Sequence, residues 1–311
     1  MANSLRDLHR AATQLAIPQA IKTTASLPIG VQRSIITSSV AIVSKIPMLR
    51  RRVRQNMRLA LGDDVPAEAA SRYYRHLGWL LSSSLATFHH GIAAMSVPEE
   101  IAFDDSIRHY DEAVAEGRGV IFISPHWLGH KFVAVMVNRR HPLVMLVRQA
   151  STSEQMARKL KWHGALGAEI VLRPKQASTI KDAVAYLKVL KSGKVLGISP
   201  DLLADAGEGV ETRIFGRPAR LHPGAFALVI AARAPMVRVH FRWQSDSRLV
   251  VTFERAPFPV DAGDRDATIR AAVLDWCGWF EDKLRVSPEN WLFWLDKRWS
   301  RFWRASARGT E

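Results

Sequence analysis

The sequence predicts an α/β fold: a largely parallel central sheet flanked by helices, with an antiparallel edge, preceded by a helical region at the N-terminus. Three observations predict it. Short apolar runs at residues 120–123 (VIFI), 143–147 (LVMLV) and 195–198 (VLGI) have the character of strands buried on both faces. Segments of helical period separate these runs, and strands that alternate with helices pair in parallel. Two further runs, 237–243 and 249–255, meet around Ser245, Asp246 and Ser247, which makes an antiparallel pair at the edge.

Residues 1–100 read mainly as helices, broken at Gly62-Asp63-Asp64-Val65-Pro66, where turn formers cluster. Residues 105–116 form the helix leading into the first strand, which Gly117 and Gly119 punctuate and Pro125 stops. Next come a helix after His126, the strand at 143, a helix over 151–163, a short strand over 169–172, a helix over 179–190 and the strand at 195. Residues 204–213 read as a loop, 224–233 as a helix and 267–285 as another. No internal repeat, low-complexity tract or linker divides residues 100–300. The division expected is a helical, basic, membrane-associating region over 1–100 and an α/β domain over 101–311 that ends in a Trp- and Arg-rich segment.

Charge narrows the partners. A net charge of +15 over 311 residues attracts phosphate-rich partners: lipid headgroups, an acidic carrier protein or nucleic acid. Between Asp7 and Asp63 there is no acidic residue, while Arg10, Lys22, Arg33, Lys45, Arg50, Arg51, Arg52, Arg54 and Arg58 alternate with apolar residues such as Ile17, Ile21, Ile35, Ile42 and Ile46. That interleaving suits an amphipathic segment on an anionic leaflet; a solvated basic face has the same composition. Six of the ten tryptophans fall between Trp276 and Trp303, with Lys297, Arg298, Arg301 and Arg304 among them. Rings beside cations settle at headgroup level. They also stack on single-stranded nucleic acid, but no nucleic-acid-binding motif accompanies them, and nucleic acid is not expected as a partner.

No run has the roughly 20 mostly apolar residues of a spanning helix. The longest stretch without Lys, Arg, Asp or Glu, 76–98, is studded with Ser82, Ser83, Ser84 and Thr87. Within it Leu77, Leu81, Leu85, Phe88, Ile92 and Met95 recur at helical spacing, the pattern of a core-facing stripe. The pattern of a secretory signal peptide is absent. The one cysteine, Cys277, excludes an intramolecular disulfide.

The strand over 120–123 delivers His126 to the rim of the sheet, where open α/β sheets bind ligands beyond the carboxyl ends of their strands. A neutral imidazole there can accept a proton from an alcohol. His130, four residues on, makes a metal pair conceivable, but no third ligand is visible nearby and Lys131 repels a cation. Competing signatures fail: Gly197-Ile198-Ser199-Pro200-Asp201 lacks the second glycine of a nucleophile elbow, and Ser192-Gly193-Lys194-Val195 lacks the hydroxyl residue of a phosphate loop.

The stretch Gly117 to Lys131, GRGVIFISPHWLGHK, resembles the first motif of the bacterial lipid A biosynthesis acyltransferases, within the lysophospholipid acyltransferase superfamily. Further blocks follow in the family's order. Residues 143–149 (LVMLVRQ) resemble its strand ending in an arginine, and 195–201 (VLGISPD) its strand ending in an aspartate. Residues 214–220 (IFGRPAR) resemble its Phe-Gly-x-Pro block, and Pro288 to Trp291 with Trp294 and Lys297-Arg298-Trp299 its closing segment. The resemblance runs from about residue 50 to 303. It implies transfer of a fatty acyl chain from acyl carrier protein, or from coenzyme A, to a hydroxyl of an anionic lipid acceptor. It also implies a place in lipopolysaccharide synthesis on the cytoplasmic face of the bacterial inner membrane. No metal or cofactor is implied; the acyl thioester is a co-substrate. In the family's terms His126 is the general base.

The family signature has Asp or Glu five residues after the histidine, and this chain has Lys131. No acidic residue occurs between Glu116 and Glu154 to replace it locally. Asp201 is the candidate surrogate, since it emerges on the same rim if its strand runs parallel to the first; a helix cap or turn role after Pro200 suits it equally. The alternative is a catalytically impaired relative that binds lipid or carrier protein as an accessory. Arg148 and Arg173 are candidate contacts for an acceptor phosphate, with Arg217 a third, and Phe215 and Gly216 are expected to shape the floor of the site.

Overall fold

The computed structural model describes residues 24, 27–94, 97–174, 180–205, 207–259 and 264–307. Three helices come first: α1 (Ile29–Ser44), α2 (Pro47–Leu61) and α3 (Ala69–His90). After the short α4 (Val97–Glu100) the chain alternates: β1 (Ile101–Phe103), α5 (Ile107–Ala115), β2 (Val120–Ile123), α6 (His130–Asn138), β3 (Leu143–Arg148), α7 (Ser153–Ala165), β4 (Glu169–Arg173), α8 (Ile180–Lys191) and β5 (Val195–Ile198). A hairpin of β6 (Val210–Ile214) and β7 (Arg217–Leu221) leads to α9 (Gly224–Ala232), β8 (Met236–Trp243) and β9 (Leu249–Arg255). The chain ends in α10 (Arg265–Val286), two short 3-10 turns (Pro288–Asn290 and Leu292–Leu295) and α11 (Lys297–Ala307).

The main sheet has seven strands in the order β1-β9-β8-β2-β5-β3-β4. β2 lies at its centre, pairing in parallel with β5 on one side and β8 on the other, and all four of its residues are buried. That is why its sequence is a continuous apolar run rather than an alternating one. β9 turns back antiparallel to β8, and β1 pairs in parallel with β9, so the antiparallel edge is two strands deep. The chain leaves β2 toward β3 and β4, returns to β5, and later crosses β2 to reach β8. The carboxyl ends of β2 and β5 thus flank a point where the winding direction reverses, the usual ligand crevice of such sheets.

The structure corrects the sequence reading in five places. The three-residue edge strand β1 is too short for any periodicity to reveal. The expected loop over 204–213 and the Phe-Gly-Arg-Pro block instead form the β6–β7 hairpin, whose turn residues Phe215 and Gly216 both have positive φ, 49° and 73°. A primed two-residue turn normally uses Asn or Gly first. Here the Phe215 ring packs on Trp303 at 6.1 Å, and the Arg285 guanidinium stacks on it at 5.1 Å.

The third correction concerns the tryptophan-rich end. Trp291, Trp294 and Trp303 are fully buried and Trp299 is 2% exposed. They pack edge to face and stacked, 4.8 Å between Trp291 and Trp299 and 5.3 Å between Trp299 and Trp303. Lys297, Arg298, Arg301 and Arg304 point outward from α11. The segment is an amphipathic helix closing the core against α2, not a belt at headgroup level, because its indoles find more apolar contact inside the fold.

Fourth, the face of α3 that is most buried is not the leucine stripe. Tyr73, His76, Trp79, Ser83 and Ala86 are buried, while Leu81 is exposed and Leu77, Leu85 and Phe88 are half-buried. Small polar residues face inward because α1 lies close against α3: a Cβ on Gly78 would stand 3.5 Å from Thr37 Cα. Fifth, the helix after His126 starts only at His130. Gly129, at φ 97°, ends the intervening turn, and a Cβ there would meet the Trp79 ring at 3.1 Å.

One buried cluster runs from Val53 on α2 through the sheet to Trp303. α1 and the start of α2 contribute less to it. Ile42 is 68% exposed, Met48 73%, and Val31, Ile35, Val43 and Ile46 are also exposed, next to exposed Lys45, Arg50, Arg51 and Arg54. Arg10, Ile17, Ile21 and Lys22 lie outside the described residues. Among the described residues no helix is long and apolar enough to cross a membrane.

Candidate active site

Register brings the site together. Ile123 of β2 pairs with Ile198 of β5, and the ladder continues one step as the Ser124 N–H donates to the Ile198 carbonyl at 3.1 Å. His126 and Asp201 each follow three residues after those paired isoleucines, so parallel strands deliver both to the same rim. The His126 ring Nδ1 lies 2.6 Å from Asp201 Oδ1, and the His126 backbone N–H donates to Oδ2 at 2.9 Å. The Trp291 indole N–H donates to the same Oδ2 at 2.8 Å.

Asp201 is completely buried, which opposes ionisation. The positive charge available on His126 and three hydrogen bonds, from its ring, the Trp291 indole and the His126 backbone, outweigh that burial and hold the carboxyl below its usual range. An ionised Asp201 only accepts, so the proton of a neutral His126 sits on Nδ1 and Nε2 carries a free lone pair. The His126 side chain keeps 21% of its exposure. Phe293 covers one ring face at 4.4 Å, and the His130 ring stands 5.0 Å away.

The segment Pro288–Leu295 locks this loop in place. Leu128 N–H donates to the Asn290 carbonyl at 2.6 Å, Leu292 N–H to the His126 carbonyl at 2.9 Å, and Asn290 Nδ2 to the Phe241 carbonyl at 2.5 Å. Arg72 of α3 pairs with the buried Glu289 at 3.0 Å. Trp291 is the residue that sequence reasoning missed: it belongs to the closing block already noted, but nothing local shows an indole reaching a carboxylate 90 positions away.

His130 donates from Nδ1 to the Trp127 carbonyl at 3.0 Å; burial, then the charges of His126 and Lys131, push its pKa well below the usual value. Lys131 follows His130 in the first turn of α6. Its ammonium turns toward α7 and stands 5.9 Å from the Trp162 ring centroid. Burial first, and Lys159 second, lower its pKa to about 8. Among the described residues no three His, Cys, Asp or Glu side chains gather as metal ligands.

Arg148 and Arg173 face each other in register at the carboxyl ends of β3 and β4, on the same rim as His126. Phe215, Gly216 and Arg217 lie elsewhere. The open end of their hairpin starts near the site, where Leu203 bridges to Leu221, but the turn is four residues farther along, on the order of 13 Å at 3.3 Å per residue. There Glu281 accepts from the Phe215 N–H at 2.6 Å, and Arg217 donates to the Leu59 carbonyl at 2.7 Å and weakly to that of Trp303 at 3.5 Å. Arg217 thus fastens helix ends, and the floor expected from Phe215 and Gly216 is a tie between hairpin and helices.

A histidine backed by a buried carboxylate at the switch point of a parallel sheet, with cations along the same rim, has the chemistry to accept a proton beside an anionic group. Over residues 3–301 the chain matches the bacterial lipid A biosynthesis acyltransferases, and it belongs to that family. No curated protein matches it.

Proposed function

We propose that this protein transfers a fatty acyl chain from a thioester, on acyl carrier protein or coenzyme A, to a hydroxyl of an anionic lipid. The observation that carries the reading is the His126–Asp201 pair. His126 Nε2 takes the hydroxyl proton as the oxygen attacks the thioester carbonyl. The tetrahedral intermediate collapses with cleavage of the C–S bond, and the imidazolium returns the proton to the departing sulfur. An ester and a thiol result, with no covalent enzyme intermediate. Asp201 stabilises the imidazolium from Nδ1, the part the family's signature acid would play, so Lys131 at that position does not leave the base without a partner.

The accessory-protein alternative draws on the Lys131 replacement alone. Both readings are separated by acyl transfer from mixed carrier-protein thioesters to total bacterial lipid, with His126→Ala and Asp201→Asn in parallel. Transfer that disappears in His126→Ala supports the enzyme. Absence of transfer in the native protein, with every lipid and donor fraction supplied, sinks it in favour of the accessory role.

The exposed apolar residues of α1 and the start of α2, beside Lys45, Arg50, Arg51 and Arg54, support peripheral attachment to an anionic membrane surface, and with the family they favour the cytoplasmic face of the inner membrane. Sedimentation with anionic vesicles checks this: Ile42→Asp with Met48→Asp is expected to reduce binding, and unchanged binding contradicts it.

A further inference from the structure

We propose that Lys131, Lys159, Arg148 and Arg173 form a phosphate-binding subsite beside the His126 base, in which Lys131 has exchanged the family's signature acid for a ligand-binding cation. The inference deepens the acyl-transfer reading and rests on it only for which substrate carries the phosphate.

The four residues form one continuous row. Lys131 opens α6 immediately after His130 and reaches over Trp162 of α7. Lys159 lies three residues before Trp162 on the same helix and so shares its face. The Lys159 ammonium donates to the Arg148 carbonyl at 2.6 Å, which brings α7 to the end of β3. Arg148 stands opposite Arg173 in the parallel ladder. The row therefore follows the carboxyl rim of the sheet from the helix next to His126 outward to the edge strand.

Its charge has no internal counterpart. Lys131, Lys159 and Arg173 are half-buried, yet among the described residues no carboxylate lies within 4.0 Å of any of the four. Several other partly buried cations of the molecule do have an acid beside them. Arg33 meets Glu100 at 2.6 Å, Arg72 meets Glu289 at 3.0 Å, and the buried Arg238 meets Asp275 at 2.9 Å. Removing a charge from water without a partner is costly, and here several like charges repel one another besides. After burial, Lys159 is what depresses Lys131, and Arg148 is what depresses both Lys159 and Arg173. An anion with several oxygens would relieve burial and repulsion together. Two guanidiniums, which grip oxyanions in a bidentate fork, and two ammonium groups suit phosphate better than a single carboxylate.

Calorimetric titration of the full chain with inorganic phosphate, at pH 7 and constant ionic strength, tests the subsite without requiring turnover. Native protein is expected to bind, Lys131→Met and Lys159→Met each to weaken binding at least tenfold, and Lys131→Arg to retain it. Arg270→Met, exposed on α10, is expected to change nothing. Circular dichroism verifies folding, and the two methionine variants probe the row independently. No binding by native protein, or binding as tight as native by both methionine variants, overturns the proposal. Steady-state kinetics then distinguish the sources: a raised KM for the thioester alone points to the donor's phosphate, and a raised KM for the lipid alone to the acceptor's. A fall in kcat with neither KM changed also overturns it. Phosphate binding without acyl transfer would sink the acyltransferase reading and leave the subsite standing; the reverse result would do the opposite.

Discussion

Two groups of charges share the rim of this sheet, and they are built on opposite principles. Asp201 is fully buried, yet its oxygens receive three hydrogen bonds and face a histidine able to carry the opposite charge. Lys131, Lys159, Arg148 and Arg173 are less buried, yet among the described residues no carboxylate lies within 4.0 Å of them and they depress one another. The first group is complete in the folded protein and needs no ligand to be stable, which suits a base that must be oriented before substrate arrives. The second is incomplete by its own charge balance. A protein tolerates such imbalance where binding energy later offsets it.

The comparison breaks most sharply at Asp201. Asp201→Asn keeps the shape but replaces the anion at Nδ1, and a turnover loss on the order of 10³- to 10⁴-fold is expected, by analogy with loss of the orienting acid in serine proteases. Single-turnover acyl transfer measures it. A loss below tenfold would mean that the carboxylate is structural and that the base is oriented by its backbone contacts alone. Trp291→Phe is the milder probe, because it retains most of the ring while removing the indole N–H from Oδ2. A hydrogen bond to a charged group contributes about 1.5–3 kcal/mol, so a loss of roughly 10- to 100-fold is expected, with KM little changed.

The second group predicts the opposite relation between stability and function. Lys131 has its pKa lowered from 10.5 to about 8, so at neutral pH the folded state carries a charge that burial disfavours. Lys131→Met is expected to stabilise the protein by on the order of 1–2 kcal/mol, after discounting the shift for partial exposure. The sign carries a pH signature. Between about pH 8 and 10.5 the unfolded chain holds a proton on Lys131 that the folded chain has lost, so native stability rises with pH across that window, and the Met variant lacks the rise. Thermal melts at pH 7 and pH 10 read both effects. A Met variant less stable than the native protein would show that Lys131 is already satisfied by packing.

Much of this contrast was legible in the sequence, and the remainder was hidden for identifiable reasons. The continuous apolar runs of β2, β3 and β5 reveal buried parallel strands, and once two strands are parallel, residues equally far past their ends must meet. That is how Asp201 could be paired with His126 from 75 positions away. The turn of the β6–β7 hairpin was hidden because Phe215 holds a left-handed conformation that only its contacts with Trp303 and Arg285 explain. The C-terminal tryptophans were misplaced because rings interleaved with cations describe a membrane interface and an amphipathic core helix equally well. Lys131 stands where the family signature has an acid, but its direction could not be read from that position; Gly129 ends the turn before α6, and the lysine reaches toward Trp162.

The smallest expected effect separates Lys131 from its neighbours in the row. The groups facing it are Trp162, Lys159 and His163 of α7 and His130 of its own helix, with Arg148 acting through Lys159. Burial, then Lys131 and Lys159, hold His163 at about 4, and His130 is also well below the usual range, so neither histidine gains or loses a proton in alkaline solution. Above pH 8 inorganic phosphate is almost entirely a dianion, so its own charge is constant there. Lys131 is expected to lose its proton as pH rises through about 8, and phosphate affinity of the native protein should fall severalfold between pH 8 and pH 10. Arginine stays charged throughout this range. Lys131→Arg should therefore flatten the profile, leaving only the shallower contribution of Lys159, whose pKa burial and Arg148 also depress. Parallel profiles for the native and Arg proteins would remove Lys131 from the anion's contacts and assign the binding to Lys159 and the two arginines.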